Sequence, residues 1–67
     1  MNRLKEVLKT KGISQTWLAE QMDKSYTTIN EYARNKRKAS LEDLYKITDI
    51  LNIDARELLV KTKRENE

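Results

Sequence analysis

Apolar residues recur three and four positions apart along most of this chain, in short stripes separated by single polar breaks. Leu4, Val7 and Leu8 form the first stripe, and Leu18, Ala19 and Met22 the second. Ile29 and Tyr32 mark a third. Leu41, Leu44, Ile47, Thr48 and Leu51 line the longest, and Leu58 belongs to a short last one. Each stripe follows a residue whose short side chain can accept from a free helix amide: Asn2, Ser14, Ser25, Ser40 and Asp54. The pattern predicts helix 1 from Asn2 to Lys11, helix 2 from Ser14 to about Met22 and helix 3 from Ser25 to about Arg34. Helix 4 opens at Ser40, and helix 5 runs from Asp54 to near Val60. Lys9 and Lys11 suit the negative end of helix 1, and Gly12 supplies the left-handed residue that ends it. Asp43, three residues after Ser40, reads as a capping box, a pattern that Asp54 and Glu57 repeat. No apolar residue follows Val60, so the predicted domain covers 1–60 and 61–67 is a charged tail expected to be disordered.

Composition sharpens the class. The 67 residues make one domain, with no room for a second, near the lower limit for folding without help. There is no cysteine and no histidine, which excludes disulfides and a Cys/His zinc site as staples. Proline is absent and glycine occurs once, whereas small strand-rich domains spend both on turns; the expected class is all-α. The N-terminus has no apolar run, so neither a signal peptide nor a membrane span is expected, and a cytoplasmic location follows.

The net charge of +3 is too small to identify a partner, but its distribution is uneven. Arg34, Lys36, Arg37 and Lys38 form one basic cluster, while Glu42, Asp43, Asp49, Asp54 and Glu57 lie together downstream.

The cluster directly follows two short serine-capped helices joined by a tight Asp23-Lys24 connection. That order suits the placing of one short helix in the major groove of DNA. On a helical wheel of roughly 100° per residue, Ile29 and Tyr32 set the buried direction of helix 3. Thr27, Asn30, Glu31 and Arg34 then point outward, with Tyr26 at the rim of the first turn. Asn can pair with adenine, Glu can accept from the cytosine amino group, and Thr or Tyr can bond a base edge or touch a thymine methyl. Such a face alone would read first as an ordinary solvated surface; its flanks reverse that reading. Ser14 and Gln15 at the start of helix 2, and Ser25 at the start of helix 3, stand where free amides attract an anion. Arg34, Lys36 and Lys38 can grip the backbone on the other side.

With these residues assembled, the chain resembles the lambda-repressor and Cro-like helix-turn-helix family (Xre-type regulators) over nearly all of 2–60. The resemblance is carried by Ser14-Gln15, Leu18-Ala19, Met22, Ser25, Ile29 and Tyr32. It continues through Arg34 to Lys38, Ser40-Leu41-Glu42, Leu44, Ile47, Leu51 and Leu58-Leu59. It implies a compact five-helix domain in which Gln15, Ser25, Arg34, Lys36 and Lys38 contact phosphates. Tyr26, Thr27 and Glu31 would contact bases, with Thr28 and Asn30 nearby. Family members usually carry glycine where Asp23 and Asn35 stand, and Asp and Asn tolerate left-handed backbone best after glycine. Lys24 replaces a usual apolar residue and is expected to extend its ammonium to solvent. Ala39 stands where proline is common. An arginine–glutamate pair frequent in the family is replaced by Leu8 and Ala33, which are expected to pack together. Trp17 occupies a usually polar position and reads as packing at the core edge rather than as a binding residue.

The resulting expectation is a homodimeric transcriptional regulator, a repressor, that binds a palindromic double-stranded operator. Ile50, Ile53, Leu59 and Val60 are the apolar candidates for its dimer seam. An enzyme is not expected, because nothing resembles a nucleophile–base pair or a phosphate loop. No cofactor, metal, membrane or small-molecule effector is expected either. The alternative is an antitoxin or anti-repressor that binds a partner protein through helices 4 and 5 and autoregulates its own promoter.

Overall fold

A computed structural model describes residues 2–59. Five helices are present among them: α1 (Leu4–Lys11), α2 (Gln15–Met22), α3 (Tyr26–Ala33), α4 (Leu41–Leu51) and α5 (Ala55–Leu58). The caps act as their residue types require. Ser14, Ser25 and Ser40 each accept from the amide three residues on, at Trp17, Thr28 and Asp43, and Asp54 accepts from Arg56. Helix α1 begins one residue later than its cap was expected to allow. Arg3 holds the cap position in the backbone, but the Asn2 carboxamide still accepts from the Leu4 amide at 2.8 Å.

Three helices end in the same way on different residues. Gly12, Asp23 and Asn52 all adopt left-handed backbone, with φ of 70°, 58° and 56°. In each case the next amide reaches back into the last turn, from Ile13 to Leu8, Lys24 to Ala19 and Ile53 to Thr48. Asn35, after α3, is the fourth left-handed residue. Asp23 and Asn35 thus hold the geometry that glycine would give.

Helix α2 packs on α3 and α4, α1 on α3 and α5, and α4 on α5. One core results, with Leu4, Leu18, Ile29, Ile47 and Leu58 as its most deeply buried large side chains. Leu8 and Ala33 are both buried within it, so the positions of the family's ion pair strand no charge here. The chain start is tied down: the Arg3 amide donates to the Leu58 carbonyl at 2.7 Å, and Asn2 pairs with Leu59.

Three expectations are corrected. Leu41 is 65% exposed and does not belong to the buried face of α4. Its place is taken by Asp43, which lies one turn before Ile47 and is buried. The Asp43 carboxylate does not turn back to the Ser40 amide. It accepts a 2.7 Å hydrogen bond from the Tyr32 hydroxyl and lies 3.5 Å from the ammonium of Lys24, which remains exposed as expected. Helix α5 stops at Leu58; Val60 and the tail 61–67 lie outside the described residues.

Candidate nucleic-acid interface

The α2–α3 pair offers one continuous polar face. It is built from the N-terminus of α2, the outward side of α3 and the loop that follows. Ser14 and Ser25 point both helix N-termini outward, each with its cap oxygen satisfied by an amide of the first turn. Ser25 Oγ also shares a 3.0 Å hydrogen bond with Thr28 Oγ1. Thr28 is therefore half-buried and engaged with the cap, whereas Tyr26 and Thr27 are exposed.

Asn30 and Gln15 meet across the two helices. Asn30 Nδ2 donates to Gln15 Oε1 at 2.9 Å and lies 3.5 Å from the Tyr26 hydroxyl, one turn back along α3. Both amide residues are half-buried. The sequence pattern put Asn30 on the outward face but contained no sign of its partner, which is fifteen residues away.

Glu31 is also engaged. Its carboxylate accepts from Arg37 Nε at 2.7 Å, and its carbonyl accepts from the Lys36 and Arg37 amides. The side chain that neutralises Glu31 is thus Arg37, and Arg34 is exposed without an ion pair among the described residues. Lys36 and Lys38 are exposed too, so among the described residues three cations beside α3 have no ion-pair partner: Arg34, Lys36 and Lys38.

The loop is held in place from the chain start. The Asn2 amide donates to Asn35 Oδ1 at 2.8 Å, Asn35 Nδ2 donates to the Asn2 carbonyl at 3.3 Å, and Asn2 Nδ2 donates to the Tyr32 carbonyl at 3.1 Å. These bonds fasten the loop after α3 to the chain start, and the Tyr32 carbonyl, which also accepts from the Asn35 amide, takes a second donor from Asn2. No local sequence signal marks Asn2 for this second task.

The apolar positions expected at a dimer seam divide. Leu59 is exposed, while Ile50 and Ile53 are half-buried and pack against the core. Two further exposed apolar side chains, Leu41 and Tyr45, sit one turn apart on α4. Trp17 is 42% exposed and stands outside the core, contrary to the packing expected of it.

Among the described residues no helix is long and apolar enough to cross a membrane. Comparison with known proteins agrees with the resemblance read from the sequence. The helix-turn-helix family pattern matches residues 4–58. The crystal structure of a protein from Bacteroides fragilis, described provisionally as DNA-binding, is similar at 46% identity and a TM-score of 0.84. The alignment covers 87% of this chain and 94% of that one. No curated protein matches.

Proposed function

The chain belongs to the helix-turn-helix family, and from that premise we propose that it binds double-stranded DNA sequence-specifically and regulates transcription, with α3 in the major groove. The observation that carries this reading is the single face formed by two outward helix N-termini, the exposed Tyr26 and Thr27, and the unpaired Arg34, Lys36 and Lys38. Free amides at Gln15 and Ser25 and the three cations fit phosphates on either side of the groove. Tyr26, Thr27 and Glu31 lie between them, where base edges would come, with Thr28 and Asn30 behind.

One copy of an eight-residue helix spans only a few base pairs, too few for a useful specificity ratio. The proposed unit is therefore a homodimer on a palindromic operator, acting as a repressor in the cytoplasm, with residues 1–60 as the DNA-binding part. Leu59 is the exposed anchor of the proposed seam, with the half-buried Ile50 and Ile53 and, next in the chain, Val60 as its other candidates. Half-sites would then recur about one helical turn apart, roughly 34 Å.

Selection of bound duplexes from a random library tests the reading. A two-fold symmetric consensus is expected. Enrichment of no duplex at all would overturn it, and a monomer in sedimentation with the selected duplex present would remove the dimer.

A second reading, a protein-interaction module, draws on Leu41 and Tyr45, which present exposed apolar surface on α4. It would be favoured by a partner protein that binds the chain and is released by Leu41→Glu without change in duplex affinity.

A further inference from the structure

The contact between Gln15 and Asn30 joins a phosphate-facing position on α2 to the outward face of α3. A carboxamide carries two donor hydrogens on nitrogen and one acceptor oxygen. Both donors of Asn30 are directed at protein acceptors, Gln15 Oε1 at 2.9 Å and the Tyr26 hydroxyl at 3.5 Å. Bidentate pairing with adenine needs one of those hydrogens for the base, so Asn30 could pair so only by giving up the Gln15 bond or the longer Tyr26 contact; its Oδ1 is the atom left without a partner among the described residues.

The consequence falls on its neighbours. With Oε1 occupied, Gln15 has its Nε2 hydrogens left to present. Phosphate oxygens only accept, so this is the one orientation in which a glutamine at the start of α2 assists a phosphate contact. The Tyr26 hydroxyl, accepting from Asn30, keeps its own hydrogen for an acceptor on the DNA. In the major groove such acceptors are purine N7, guanine O6 and thymine O4, and the cytosine amino group is disfavoured.

We propose that Asn30 is a positioning residue that sets both Gln15 and Tyr26 as donors toward DNA, and that it reads no base itself. The inference rests on the α2–α3 face being the duplex interface, and it adds a division of labour within that face. Asn30 acts on affinity through a phosphate and on base preference only through Tyr26.

The test measures affinity for the selected duplex and for an unrelated duplex with the full chain, its Asn30→Ala, Asn30→Asp, Gln15→Ala and Tyr26→Phe variants, and the Gln15→Ala/Asn30→Ala double variant. Thermal melting checks that each is folded. Asn30→Ala is expected to weaken both duplexes, by about tenfold or less. In the Gln15→Ala background the same change should alter binding of the unrelated duplex by less than about twofold, because the two side chains act as one unit. Asn30→Asp should weaken binding more than Asn30→Ala, since a carboxylate has no hydrogen to give Gln15 Oε1 and turns that oxygen toward the phosphate. Base-by-base substitution of the duplex should show Asn30→Ala relaxing only the position that Tyr26→Phe also relaxes.

Additive effects of Gln15→Ala and Asn30→Ala, or a base position relaxed by Asn30→Ala alone, would overturn the proposal while leaving the interface intact. Failure of the unaltered chain to bind any duplex would instead remove the interface reading, and this inference with it.

Discussion

The Tyr32 hydroxyl donates a 2.7 Å hydrogen bond to Asp43 Oδ2, which ties the last turn of α3 to the first turn of α4. The Lys24 ammonium lies 3.5 Å from the same oxygen and brings in the α2–α3 turn. A carboxylate as buried as Asp43 is costly unless its charge is met. It is met twice: by the tyrosine hydroxyl and by the partly exposed lysine. The group holds the outward face of α3 at a set angle to the rest of the domain.

Tyr32 and Asp43 should therefore act as a unit, so that replacing both costs less than the sum of replacing each. Tyr32→Phe and Asp43→Ala are each expected to lose about 1–3 kcal/mol in urea unfolding, because each leaves a buried polar group without its partner. The double variant Tyr32→Phe/Asp43→Ala should lose less than the sum of the two. Additive losses would show that the pair contributes nothing as a pair.

Stability should also fall at alkaline pH through Tyr32. Its burial, then the hydrogen bond and negative charge of Asp43, hold its hydroxyl above the ordinary tyrosine value, with Arg37 opposing weakly. The unfolded chain consequently releases this proton first. The stability due to Tyr32 is fully present below about pH 10, the unfolded value, and is lost as pH rises through the higher folded value. The advantage of the native chain over Tyr32→Phe in melting temperature should shrink above about pH 10. A gap that stays constant into that range would contradict the assignment.

Asp23 and Asn35 share the same left-handed φ of 58°, which makes glycine at each a matched comparison. Glycine relieves the backbone equally at both and loosens the unfolded chain equally. Only Asn35 uses its side chain, in two bonds to Asn2. Asp23→Gly is expected to be neutral or slightly stabilising, and Asn35→Gly to be less stable than Asp23→Gly by about 1 kcal/mol. Equal melting temperatures would mean that the Asn2–Asn35 bonds add nothing.

Lys36→Ala and Lys38→Ala should weaken binding to all duplexes alike and reduce the salt slope by roughly one unit each. Thr27→Ala should instead cost about 1–3 kcal/mol on the selected duplex and little on an unrelated one. Titration of affinity against salt for both duplexes separates these outcomes. A lysine variant that changed base preference would place that lysine in the groove.

The Glu31–Arg37 pair gives the fifth expectation. Glu31→Ala removes a negative charge from the proposed interface and frees the Arg37 guanidinium, 2.7 Å away in the native chain. Affinity for unrelated duplexes should stay level or rise, while preference for the selected duplex relaxes. Arg37→Ala in the same background should cancel any rise. Equal loss of specific and non-specific affinity in Glu31→Ala would remove Glu31 from base reading.

Helix positions were legible because their causes are local. A serine whose oxygen meets an amide three residues on, and apolar side chains that recur each turn, need no information from elsewhere in the chain. Ser14, Ser25, Ser40, Ile29 and Ile47 therefore act as their spacing predicts. The left-handed end at Gly12 follows from the same local logic, those at Asp23 and Asn35 from the family's usual glycines, while Asn52 completes the set unannounced.

Side-chain partners were not legible in this way. Asp43 stands on the inward side of α4, and its register with Ile47 was the one hint that it would be buried. Its charge argued for the cap instead, because burial becomes tolerable only once Tyr32 and Lys24 arrive from other elements. The same holds for Asn30 and Gln15, and for Asn2 and Asn35, thirty-three residues apart. By itself the sequence determined the five helices, most of their caps, the polar face of α3 and the family. Only the tertiary structure decided which polar groups on that face remain free, because a hydrogen-bonding group is committed or available according to the partner that packing brings within about 3 Å.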